Sequence, residues 1–94
     1  MSISVMMVMC LAMKDGAPEC NIRAMYSLPT TNDIQMCSNM ADAKANDVLL
    51  ETGKVGWAKG VCFAQDDYSK VVTRTVEFLE LKGYKVNFES YKDN

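Results

Sequence analysis

The run Ile3-Ser4-Val5-Met6-Met7-Val8-Met9-Cys10-Leu11-Ala12-Met13 carries no charge and one hydroxyl, and it limits what this chain can fold into. An uninterrupted apolar stretch of this length has no solvated side, so as a strand it must be covered on both faces, in the middle of a sheet. At about eleven residues it falls well short of the roughly 20 that span a bilayer as a helix. No basic residue precedes it, no small-x-small cleavage pattern follows, and Met9 stands directly before Cys10. It is therefore read as part of the folded domain and not as a secretory leader.

The rest of the chain supplies what such a strand needs. Lys14-Asp15-Gly16 and then Cys20-Asn21-Ile22-Arg23-Ala24-Met25-Tyr26 read as a β-hairpin, with Gly16 at the residue of positive φ. A two-residue turn at Asp15-Gly16 sets Cys10 opposite Asn21. A three-residue loop sets Cys10 opposite Cys20, Val8 opposite Ile22 and Met6 opposite Ala24, and leaves Asn21 and Arg23 together on the more solvated face. The second register agrees better with the alternation of the second strand.

After a connection containing Pro29, the residues Thr31, Asn32 and Asp33 are successive N-cap candidates for a helix over about 33 to 52. Its apolar stripe is Ile34, Cys37, Ala41, Ala45, Val48 and Leu49, and Gly53 stands at the left-handed C-terminal position. From Lys54 to Ala64 the bulky Val55, Trp57, Val61 and Phe63 alternate with Gly56, Ala58, Gly60, Cys62 and Ala64. That is a strand with one thick and one thin face, and the thin face admits a close-packed helix, placing Cys62 within reach of Cys37. Asp66 and Asp67 are expected to cap a second helix over about 68 to 82, with Tyr68, Val72, Val76 and Leu79 inward and Gly83 as its stop. The β-branched Val71, Val72, Thr73 and Thr75 leave a strand open as the other reading. Tyr84 to Tyr91 reads as an edge strand, where Lys85 and Glu89 oppose casual pairing with other chains.

The expected fold is thus a single α+β domain over residues 1–94, of order β-β-α-β-α-β, with an antiparallel or mixed sheet packed against two helices on one or both faces. Trp57 and Tyr26, on alternating strands, are expected in the core.

Function is constrained mainly by exclusion. The chain has four cysteines and no histidine, which removes serine–histidine and cysteine–histidine nucleophile pairs and mixed zinc sites. The cysteine spacing contains no C-x-x-C. Two pairings suit the expected topology, Cys37 with Cys62 and Cys10 with Cys20; the alternative is four buried thiols acting as small apolar side chains. Ten basic against twelve acidic residues give a net charge of -2 with no run of either sign, so neither nucleic acid nor a membrane surface is an expected partner. Lys82-Gly83-Tyr84-Lys85-Val86-Asn87-Phe88 superficially matches an RNA-recognition strand, but Val86 stands where the second stacking aromatic belongs. Adjacent Asp66 and Asp67 suit a helix start better than a metal site. No cofactor, metal or catalytic residue is expected.

Eight methionines in 94 residues are the one compositional excess that suggests an activity. A flexible, polarisable methionine surface adapts to a partner, and Met7, Met9 and Met25 with Arg23 form a candidate protein-docking face on the hairpin. If the second helix covers that face, the same methionines become core filler.

The apolar first strand, the Asp15-Gly16 turn, the second strand, a helix bearing Cys37-Ser38-Asn39-Met40-Ala41 and a strand ending Gly60-Val61-Cys62 resemble small uncharacterised proteins of tailed bacteriophages. The resemblance covers roughly residues 3 to 64, and the segment from Asp66 to Asn94 departs from the short ending of that pattern. It implies a viral accessory or virion protein without an assigned activity. Together with the methionine-rich hairpin, the expected function is non-enzymatic binding of a host or viral protein, in the host cytoplasm or the virion. A disulfide-stapled subunit that self-associates through the strand 84–91 is the alternative.

Overall fold

The structure is a computed structural model, and it describes residues 3–25 and 33–91. Seven elements follow in order: β1 (Ile3–Leu11), β2 (Glu19–Met25), α1 (Ile34–Thr52), β3 (Gly56–Ala64), a 3-10 turn (Gln65–Asp67), α2 (Tyr68–Leu81) and β4 (Lys85–Tyr91). They form one four-stranded mixed sheet in the order β3-β1-β2-β4. The α+β class and the β-β-α-β-α-β order are those expected from the sequence.

The uncharged run forms β1, an interior strand paired antiparallel to both β2 and β3. Its alternation feeds two separate cores. Met6, Val8 and Cys10 join Cys20, Ile22, Ala24 and Phe63 beneath Val72 and Leu79 of α2. Ile3 and Val5 join Cys62 beneath Cys37 and Ala41 of α1, with Met7 and Ile34 partly buried alongside. One helix therefore covers each face. Strands β2, β3 and β4 all run in the same direction, so the chain makes two parallel crossovers. The first goes from β2 through α1 to β3, over β1. The second returns from β3 through α2 to β4, past β1 and β2. Parallel crossovers share one hand, and two of the same hand that run in opposite directions across a sheet must lie on opposite faces.

The hairpin has the register in which Cys10 pairs with Cys20, Val8 with Ile22 and Met6 with Ala24. Gly16 has φ 123°. Strand pairing stops at Leu11 and Glu19, so the connection between the strands is longer than a three-residue loop although the register is the one such a loop dictates. Both expected cysteine pairs are disulfides, Cys10–Cys20 across the hairpin and Cys37–Cys62 from α1 to β3.

Helix α1 begins where Asp33 accepts a hydrogen bond from the Met36 amide, and ends at Gly53 in the left-handed region. Helix α2 differs from expectation at its start. Asp67 makes no capping bond through its side chain, because Gln65–Asp67 form a 3-10 turn that supplies carbonyls to the first amides, Tyr68 donating to Gln65. The β-branched run at 71–75 is helical, with Val72 inward and the Thr75 hydroxyl donating to the Val71 carbonyl. Trp57 is the second departure: it is 41% exposed, not core. It lies on an edge strand, where a ring has neighbours on one side only, and it meets Tyr84 edge-to-face at 6.5 Å. Tyr26, Pro29, Thr31 and Asn32 lie outside the described residues.

Candidate functional site

The position of α1 decides which surface is available. Its buried residues Cys37, Ala41 and Ala45 recur every four positions, which keeps them on one stripe of the helix. All are small, and the strand beneath offers Gly60. A Cβ at residue 60 would overlap the backbone carbonyl of Ala41 and the amide of Asp42, so glycine is the residue that lets helix and strand touch backbone to backbone.

One residue further on, Ser38, Asp42 and Asn46 form a second stripe, turned by about 100° from the first. These three meet the outer backbone of β3. The Cys62 amide donates to Ser38 Oγ at 2.9 Å, and the same hydroxyl lies 3.4 Å from the Cys62 carbonyl. The Gly60 amide donates to Asp42 Oδ1 at 3.1 Å, and Asn46 Nδ2 donates to the Ala58 carbonyl at 3.3 Å. Helix α1 thus straddles β3 and seals its free edge.

A helix so placed leaves the far half of its own face uncovered. Asn21 and Arg23 on β2 and Asn87 on β4 are exposed there, and Asn87 Nδ2 donates to Asn21 Oδ1 at 3.3 Å. At the step between helix and open sheet lies a groove of about 300 Å3. Its floor is Met7 and Met9, its helix wall Ala45 and Val48, and its open side Asn21 and Arg23. Three of the four residues of the candidate docking face, Met7, Met9 and Arg23, therefore come together. Met25 is placed by its backbone opposite Val5 in the hairpin ladder.

The expectation about what would cover this face is corrected. It is α1, not α2, that lies over the methionine side of the hairpin, because Met7 pairs with Gly60 and Met9 with Ala58, on the thin face of β3. The cover stops part-way, so Met7 and Met9 are half-buried, neither core nor fully exposed. Ala45 and Val48 also line the groove, and the sequence alone does not mark them as groove residues. Both read as helix core until the pairing of β1 with β3 sets them beside the methionines.

Chemically, the groove offers thioether and aliphatic surface rimmed by an amide and a guanidinium. Its volume is at the lower bound of the roughly 300–1,000 Å3 typical of small-molecule sites. Asp66 and Asp67 are exposed at the 3-10 turn, and among the described residues no cluster of three acidic or cysteine side chains forms a metal-binding group. No described helix is long and apolar enough to cross a membrane.

The fold and groove define a small mixed-sheet domain with one helix on each face. No protein-family model matches this chain, and no curated protein and no solved structure matches it.

Proposed function

We propose that this domain works without catalysis by binding a segment of another protein in the α1–hairpin groove, as a bacteriophage accessory or virion component would. The observation that carries this reading is the convergence of Met7, Met9 and Arg23 with Val48 in one concavity beside an open half-sheet. Methionine floors repack around different apolar side chains at little cost. A groove of this volume holds one large anchor residue, in the way that a buried apolar anchor dominates many interfaces. The occupant is a peptide segment with one bulky apolar side chain seated between Met7 and Val48 and its backbone amides near Asn21. Thioether, aliphatic and amide groups suit holding such a residue and have no proton to exchange near neutral pH.

A displayed random-peptide library panned on the immobilised protein tests this directly. Enriched sequences are expected to share a bulky apolar residue and to shift the Met7 and Met9 methyl resonances. Binding is expected to fall at least tenfold in the Met7→Glu, Met9→Glu double variant, with the circular dichroism of the fold retained. Shifts confined to Met36 and Met40, which are exposed on α1, or binding that survives the double substitution, would refute the groove.

A further inference from the structure

The two edges of the sheet are not alike, and the open one is self-complementary. The Lys85 amide donates to the Pro18 carbonyl at 2.9 Å. In a parallel ladder, alternate residues turn their peptide groups toward the neighbouring strand. Residues 85, 87 and 89 therefore face β2, while Val86 and Phe88 turn their N–H and C=O outward. Among the described residues nothing bonds to those outward groups. At the other edge α1 occupies the equivalent positions of β3 with Ser38, Asp42 and Asn46.

We infer that β4 pairs antiparallel with β4 of a second copy about a two-fold axis at Asn87, giving a closed dimer with one eight-stranded sheet. The sequence Lys85-Val86-Asn87-Phe88-Glu89 selects the register. With the axis at residue 87, Lys85 stands opposite residue 89, a glutamate, on both sides of the axis. Val86 stands opposite Phe88, and Asn87 opposite itself. Opposite charges and a β-branched residue facing an aromatic are the favourable cross-strand combinations. Val86 and Phe88 carry the outward peptide groups, so each Val86–Phe88 pair exchanges two backbone hydrogen bonds. Moving the axis to residue 86 or 88 keeps the backbone pairing but separates the charges. The charges that penalise an arbitrary strand at this edge thus favour one partner, a second copy.

Phe88, 45% exposed beside the α2 face, gains cover in that pairing. The Lys85 ammonium, largely exposed, lies 3.6 Å from Glu19 Oε1, a contact that costs little to exchange. Since the β3 edge is already occupied, two copies complete the assembly and no filament grows.

Sedimentation velocity across a concentration series tests the dimer and its register. The wild-type chain is expected to shift from monomer to dimer. Phe88→Pro removes an outward amide without touching the β2 ladder and is expected to leave a folded monomer. Lys85→Glu or Glu89→Lys alone should each weaken dimerisation about tenfold, since two cross-strand pairs turn repulsive. An equimolar mixture of the two single variants should restore it as a heterodimer, since residues 85 and 89 of one chain are then both acidic and those of the other both basic, and it keeps the proposal falsifiable if the proline variant does not fold. A chain that stays monomeric at every concentration overturns the inference, as does a dimer indifferent to Phe88→Pro. Single variants that do not rescue one another on mixing overturn the register.

Discussion

Strands β3 and β4 are both edges of one sheet, yet they are held by different means. On β3, α1 lies backbone to backbone over Gly60, is tied by Cys37–Cys62, and supplies Ser38, Asp42 and Asn46 to the outward peptide groups. On β4 the inner side is held by the parallel ladder to β2 and by Val86 against the cluster beneath α2, while no helix lies on the outer edge among the described residues. The difference shows how a small domain controls its unpaired backbone. An edge can be satisfied from within by a helix whose polar stripe lies one residue behind its apolar stripe, or left open and guarded by charge. The first arrangement fixes geometry and tolerates little change. The second tolerates change and keeps the edge available.

The largest effect that would break this contrast comes from Gly60→Val. The added side chain meets backbone and not a flexible tip, so overpacking is expected to cost about 3 kcal/mol or more, read as a large fall in the denaturation midpoint. A midpoint within error of wild type would mean that α1 does not approach β3 as described. Next in size is Asp42→Ala. It leaves the Gly60 amide without its acceptor and is expected to cost about 1–3 kcal/mol, while Asp42→Asn, which keeps an oxygen in place, costs less. Equal losses in the two variants would show that the hydrogen bond is not what holds the edge. The smallest effect belongs to the open edge. Glu19→Ala removes the partner of a largely exposed Lys85 and should change stability by less than about 1 kcal/mol at low concentration; a larger loss would mean that β4 is pinned at that end.

Much of this arrangement is legible in the residues themselves. The uncharged first strand requires cover on both faces, and the return of both crossovers across the sheet provides it. The alternation of the second strand and the cysteines at 10 and 20 agree on the register of a three-residue loop, and the small residues alternating from Gly56 to Ala64 announce the helix that lies on them. What is not legible is pairing between distant strands. The partner of β3 decides that α1 shares a face with Met7 and Met9, and no local pattern in residues 56–64 specifies that partner. The same gap explains Trp57, whose alternation with small residues reads as core until β3 proves to be an edge strand. Asp66 and Asp67 resemble caps because an acidic pair at a helix start commonly is one; the 3-10 turn supplies main-chain carbonyls instead and leaves both exposed.

The two disulfides close separate, successive loops, with separations of 10 and 25 residues. Stretched from its ends, the oxidised chain cannot pay out those segments, and at roughly 3.6 Å per residue its reach is shortened by about 36 and about 90 Å. A ring-shaped unfolding motor that draws in a single strand from either end would meet a doubled chain before it had passed the sheet. Full extension of this chain therefore depends on a reductant as well as on force.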